Sequence, residues 1–320
     1  MFISPSHAPF IQDDLDVLEK HFSVRRQIGH GIGAALKIIV KTFNADITFC
    51  WFASVYAFVG VAMARMCGMK SVVIVGGVDA AKDKELDYGI WLTPWKAKLV
   101  RYVFHHADRI LVVDPCLREE AVRLAEYDGK NISYLPTGYD GEFWKPMGEK
   151  EPVVLTVAVA RDARALRRKG IDTLIEAARQ TPGVTFYIVG IGPEMILHMN
   201  PPLNMKFIPP IPRKDILPYY QRAKVYCQPS RREGLPNSLC EAMLCSCIPI
   251  ASDVSGNPTA VGTEGVLVPP SDPTALASAI RQSLSMDGSL GIRARARIVS
   301  MFPRQRRETG LVRTIEELLE

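Results

Sequence analysis

Residues 225–251 read VYCQPSRREGLPNSLCEAMLCSCIPIA. Val225–Gln228 is a short apolar run of strand type, Asn237–Cys245 repeats its apolar residues at helical spacing, and Ile248–Ala251 is apolar and β-branched again. A strand, a helix and a second strand at this separation make a parallel crossover, and parallel sheets need helices on both faces. The alternation continues outward. Val153–Val159, Thr185–Val189, Met205–Ile208 and Gly265–Val268 read as further strands, with helices over Ile171–Arg179, Asp215–Arg222 and Pro273–Leu284. Nearer the N-terminus, Phe2–Ser4, Ile47–Phe52, Ser71–Val75, Arg109–Val113 and Ile132–Pro136 read as strands. Helices are expected there over Asp13–His21, Val55–Met66, Ala97–His106 and Leu117–Tyr127. The predicted class is α/β, with two Rossmann-like, doubly wound parallel-sheet domains facing across a cleft.

The length of 320 residues suits two domains of about 150 each. Apolar periodicity lapses in Gly141–Glu151 (GEFWKPMGEKE), which predicts domains over 1–147 and 148–320, the last helix packing back on the first. Residues 1–150 hold 18 Lys/Arg and 18 Asp/Glu, leaving 39 − 18 = 21 against 34 − 18 = 16 in the second half. By halves, the net charge of +5 therefore lies in the second, as an anionic ligand there would require. No basic run is interleaved with aromatic residues, so nucleic acid is not an expected partner. Seven cysteines without a signal-peptide pattern are read as reduced, in a cytoplasmic protein, with Cys240, Cys245 and Cys247 as small buried hydrophobes. Residues 47–64 contain no charge. A buried strand, a Ser54 cap and a buried helix account for that apolar length without a membrane span.

Three segments carry chemistry. In the first, Gly234 and Pro236 hold Glu233 in a loop, and Glu241 falls in the second turn of the helix that follows. Ionised carboxylates accept hydrogen bonds from hydroxyl-rich ligands, and unpaired amides at a helix start suit an anion. In the second, Arg161 and Lys169-Gly170 follow the strand Val153–Val159, where two cations can neutralise a diphosphate. Taken alone, they read first as a solvated loop, since Arg164, Arg167 and Arg168 share it. In the third, Gly190-Ile191-Gly192 ends a strand and permits close backbone approach, but the dinucleotide fingerprint is absent because position 195 is Met.

In this order the segments resemble the C-terminal domain of family 4 retaining glycosyltransferases, of GT-B fold, over about Val153 to Ile280. The likeness includes the E-x7-E element (Glu233, Glu241), Pro249–Ser252 and Gly265–Pro270. The first half is similar more loosely, through Gly76–Asp79, Leu111–Val113 and Leu135–Asp140. The resemblance implies that Arg161 and Lys169 hold the diphosphate of a nucleotide-sugar donor and that Glu241 binds its ribose. Glu233 would contact the sugar with help from the backbone of Gly234, Leu235, Pro236 and Asn237, and backbone at Gly190, Gly192, Ile211 and Pro212 would hold the base. It implies sugar transfer with retention to a saccharide or lipid-linked acceptor, and neither metal nor cofactor. The chain departs from the family at Ala160 and Ser246, where glycines are common, and at Thr259, where an acid is frequent. The first domain lacks the family's histidine; Asp79 stands in that region and is named as a catalytic candidate, with a capping or turn role as the alternative. A silent sugar-nucleotide-binding subunit and a sugar-nucleotide epimerase are the rival functions.

Two weaker features have structural alternatives. Asp14-Leu15-Asp16 has a metal-binding spacing, but a helix start accounts for acids there. Trp95, Leu99 and Tyr102 share a helix side, with Lys98, Arg101 and His105 on another. Such a helix suits a peripheral contact at the inner face of a membrane, and a domain core also explains its apolar stripe.

Overall fold

A computed structural model describes residues 1–320, save the side chains at positions 193 and 197. The chain forms two compact units, Met1–Gly138 with Arg304–Glu320, and Tyr139–Pro303. In the first lie β1 (Phe2–Ser4), α1 (Pro9–His21), β2 (Arg26–Ile28), α2 (Ile32–Thr42), β3 (Ile47–Trp51) and α3 (Val55–Met66). They are followed by β4 (Lys70–Val75), α4 (Pro94–His106), β5 (Arg109–Val112), α5 (Pro115–Ala125) and β6 (Ile132–Tyr134). The second unit opens with β7 (Glu151–Val157), α6 (Ala163–Arg168), α7 (Ile171–Arg179), β8 (Thr185–Val189) and β9 (Met205–Ile208). It continues with α8 (Leu217–Arg222), β10 (Ala223–Gln228), α9 (Asn237–Leu244), β11 (Ile248–Ser252) and α10 (Asn257–Val261), then β12 (Val266–Val268), α11 (Pro273–Ser285) and α12 (Ser289–Met301). The last helix, α13 (Arg304–Leu319), belongs to the first unit.

Both sheets are six-stranded and every pairing between their strands is parallel. The central strands β3, β4, β5 and β8 are nearly unbroken apolar runs, as double-sided helix cover requires. Val154, Phe186, Ile188, Val225 and Ile250 form the centre of the second core. The first sheet runs β2-β1-β3-β4-β5-β6, and the second β12-β11-β10-β7-β8-β9. Each order reverses once, at β1/β3 and at β7/β10, and ligands of such sheets bind beyond the strand ends at that switch point.

Ser54 caps α3, its Oγ accepting from the Ala57 amide at 3.3 Å, so residues 47–64 are the expected strand, cap and helix. No helix among the described residues is long and apolar enough to cross a membrane. Helix α1 starts earlier than Asp13, because Pro9 occupies its first turn. Phe10–Gln12 are therefore helical, and Asp14 is a buried mid-helix residue rather than a first-turn acid. The second unit begins before Gly141: the Tyr139 amide donates to the Phe302 carbonyl at 2.9 Å, and its hydroxyl to Asn237 Oδ1 at 2.8 Å.

Candidate functional site

The switch point of the second sheet gathers the expected residues. Between β7 and α7 lie Arg161, before α6, and Lys169, just after it, and the loop after β10 carries Glu233. Gly170 brings the two segments together. Its φ is +68°, and a Cβ there would lie 1.9 Å from the Pro229 carbonyl oxygen, so only glycine permits this approach. Lys169 Nζ consequently donates to Glu233 Oε1 at 2.6 Å, with both side chains largely buried. Burial alone would push the Glu233 carboxyl up. Lys169 and Arg168, with hydrogen bonds from Lys169 and Ser230, outweigh it and hold Glu233 below the usual glutamate range. Arg161 is exposed and makes no hydrogen bond or ion pair among the described residues.

Helix α9 supplies the second carboxylate. Glu241 is buried; its Oε1 accepts from Arg213 Nε at 2.7 Å and its Oε2 from the Tyr220 hydroxyl at 3.1 Å. Burial, and next the Glu241 charge, push the Tyr220 phenol well above its ordinary value, so it stays a donor. Arg213 directly follows Ile211 and Pro212 and stacks over Trp144 at 5.4 Å, which ties the segment after β9 to the helix carboxylate. Leu235 and Pro236 are buried, Gly234 and Asn237 half-buried. Pro236 has no side chain able to cap, and no side-chain hydrogen bond caps the start of α9. Gly190, at φ +103°, would place a Cβ 2.7 Å from the Ala158 carbonyl oxygen, so the end of β8 lies against that of β7. Gly192 is buried just beyond it.

Three further residues complete this chemistry. Gln228 Nε2 donates to Glu233 Oε1 and to Ser230 Oγ, each at 3.0 Å, and its Oε1 accepts from Tyr226 Oη at 3.0 Å. A glutamine closing an apolar strand was its only sequence signal. Arg213 and Tyr220 had none, since their partner lies in another element. Arg231 is tied to Asp172 at 2.7 Å and to Ser271 at 2.8 Å, and so braces the loop.

In the first unit, Asp79 is fully buried. It accepts from the amides of Ala53 (2.9 Å), Gly77 (2.8 Å) and Gly76 (3.1 Å), joining the loops after β3 and β4. Its place is that of the turn role named beside the catalytic one. Burial raises the carboxyl to about 6, although those amides draw it back down. Asp14 pairs with Arg307 at 2.6 Å and accepts from Trp51 Nε1 at 2.9 Å, so the Asp-x-Asp spacing is structural. No cluster of three metal-ligating side chains occurs among the described residues. Cys240, Cys245 and Cys247 are buried thiols. On α4, Val100, Val103 and Phe104 are buried, Leu99 and Tyr102 are half-buried, and Trp95 is exposed.

Residues 151–286 match the family model of glycosyl transferases group 1. The second unit is a group 1 glycosyltransferase domain. The chain is 28% identical over 172 residues to the alpha-galactosylglucosyldiacylglycerol synthase of Streptococcus pneumoniae, covering 47% of this chain and 46% of that one. It is 25% identical over 229 residues to the D-inositol 3-phosphate glycosyltransferase of Mycolicibacterium smegmatis, covering 65% and 52%. The chain thus spans about half the length of the curated relatives it matches. Among solved structures, Anabaena HepE in complex with UDP and glucose is similar at TM-score 0.81 and 15% identity, covering 99% of this chain and 100% of that one. Sucrose-phosphate synthase from Thermosynechococcus elongatus is similar at TM-score 0.75 and 21% identity, covering 93% and 80%. The glycosyltransferase domain thus sits within a GT-B fold.

Proposed function

We propose that the chain is a retaining glycosyltransferase that needs no metal ion and moves a sugar from a nucleoside-diphosphate sugar to an acceptor hydroxyl. The observation that carries this reading is the Lys169–Glu233 pair at the switch point, between loops 64 residues apart in sequence. In the reaction the bond from the anomeric carbon to the diphosphate oxygen breaks as one to the acceptor oxygen forms, and the departing diphosphate gains negative charge and takes up the hydroxyl proton. Arg161 and Lys169 would neutralise it, with the amides at the start of α9 adding donors. Glu233, ionised, accepts from sugar hydroxyls, and Glu241 from those of the ribose. Glu233, held ionised, is not set up as a proton donor, so positioning and leaving-group stabilisation provide the acceleration.

The names of the two relatives, a diacylglycerol glycolipid synthase and an inositol phosphate glycosyltransferase, support a lipid or polyol hydroxyl as acceptor. The HepE complex makes UDP the first nucleotide to try. The test is calorimetric titration of UDP, GDP and ADP into the wild type and an Arg161→Ala/Lys169→Ala double variant. One nucleotide is expected to bind and to lose at least about a hundredfold in affinity in the variant, since each charge-assisted contact contributes about 1.5–3 kcal/mol. If the folded wild type binds none of the three at millimolar concentration, the donor reading fails.

A further inference from the structure

Residues 21–78 contain six Lys/Arg (Arg25, Arg26, Lys37, Lys41, Arg65, Lys70) and a single acid, Asp46. That is +5, and the rest of the chain is balanced, with 39 − 6 = 33 bases against 34 − 1 = 33 acids. The first half is neutral as a whole only because its other stretches hold 18 − 6 = 12 bases against 18 − 1 = 17 acids. The basic stretch folds as β2, α2, β3, α3 and β4, with α2 and α3 side by side.

On α2, Ile32, Leu36 and Val40 are 83%, 59% and 72% exposed, and Phe43, just past its end, 61%. Phe43 keeps helical torsions (φ −54°, ψ −23°), so at about 100° per residue the four lie within an arc of about 80°. Ala34, Ile38 and Thr42, on the opposite side, are buried. Lys37 flanks the apolar stripe, exposed and without a hydrogen bond or ion pair among the described residues. Lys41 is held by the Arg26 carbonyl at 3.0 Å and Gln27 Oε1 at 3.2 Å, along the edge strand. Two of the six cations face acids, Arg26 with Glu19 and Lys70 with Asp108, each at 3.9 Å and largely exposed. Met66, at the end of the neighbouring α3, is a further exposed apolar residue.

Contiguous apolar stripes of this kind rarely stay open to water. A helix apolar on its outer side, with cations at its flank, lies in the plane of a bilayer interface and favours an anionic leaflet. We propose that α2 docks the first unit on an anionic lipid bilayer, through Ile32, Leu36, Val40 and Phe43 with Lys37 at the flank. A two-fold contact between copies would bring this basic stretch against itself, like charge on like. The Gly31 amide donates to the Tyr56 hydroxyl at 2.5 Å, so the start of α2 lies beside that of α3, on the rim where strands end and ligands of such sheets enter. A bilayer along α2 therefore borders the rim that a lipid-linked hydroxyl would approach.

The test is co-sedimentation of the whole chain with vesicles of phosphatidylcholine, alone or with about one third phosphatidylglycerol. The wild type is expected to bind the mixed vesicles and to release as salt rises. A Leu36→Gln/Val40→Gln variant is expected to bind at least about tenfold more weakly, with unchanged melting, and Lys37→Glu to lose affinity on the mixed vesicles alone. The inference goes beyond the transfer reading, and UDP titration of the same variants separates the two. Wild-type protein that stays in the supernatant, or a double variant that binds as wild type, overturns it. So does a wild-type dimer that the double variant converts to monomer, because the stripe then belongs to a second copy.

Discussion

Asp79 and Glu233 are both carboxylates withdrawn from water, and their neighbours send them in opposite directions. Cations beside Glu233 more than offset its burial, so it remains an acceptor. Asp79 has only amides around it, and burial wins, raising it to about 6 from the ordinary 3.8. A carboxyl raised by folding binds its proton more tightly in the native state. Its stabilisation is therefore fully present below pH 3.8 and is lost as pH rises through about 6. The wild type is expected to lose up to about 3 kcal/mol over that window relative to Asp79→Asn, which does not titrate. Urea unfolding of both proteins from pH 4 to pH 7 measures the difference, and a flat difference would refute the assignment. The residue types at the second-unit site were legible, because Glu233, Glu241, Arg161 and Lys169 stand in one motif order along the chain. Arg213, Tyr220 and Gln228 were not, since each acquires its role from a partner brought near only by folding.

At the scale of elements, alternation of strand and helix was readable wherever helices have one buried side. Helix α2 was missed because its outer side is apolar too, so its periodicity is blurred, and Gly31 and Gly33 at its start read as loop. β2 has just three residues, Arg26, Gln27 and Ile28, of which only the last is apolar. Glycine positions carry more information. Ser246 has φ +61°, the left-handed conformation that glycine adopts at least cost, whereas Ala160 needs no such conformation. Gly170 has both the positive φ and the close carbonyl, so Gly170→Ala strains the link between the segments after β7 and β10. This variant is expected to lose about 2 kcal/mol or more of stability and to bind the nucleotide more weakly, as Lys169 moves away from Glu233. Chemical unfolding and calorimetry of that variant test both effects. Wild-type values in both would mean the loops meet without help from this glycine.

At the scale of the whole molecule, the chain leaves the first unit at Gly138 and returns to it at Arg304, so that unit is discontinuous in sequence. Its closing helix carries one buried charged side chain. Arg307 is 3% exposed, donates to Asp14 Oδ1 at 2.9 Å and Oδ2 at 2.6 Å, and reaches the Leu135 carbonyl at 2.7 Å. Trp51 Nε1 also donates to Asp14, at 2.9 Å. A buried pair of this kind contributes little net energy while intact, yet removing one member leaves the other charge uncompensated. Arg307→Met is therefore expected to destabilise the first unit by about 3–5 kcal/mol, and Asp14→Asn added to it to restore part of that loss. Hydrogen exchange localises the effect: amides of β1, β3 and α1 should exchange faster in Arg307→Met, while those of β7 and β8 keep their protection. Unchanged exchange in β1 and β3 would mean that α13 is held by its apolar residues, Leu311 and Ile315, and that Arg307 merely fills space. Faster exchange confined to α13 would instead show that the helix detaches without loosening the sheet, and the first unit would then be continuous in energy though not in sequence.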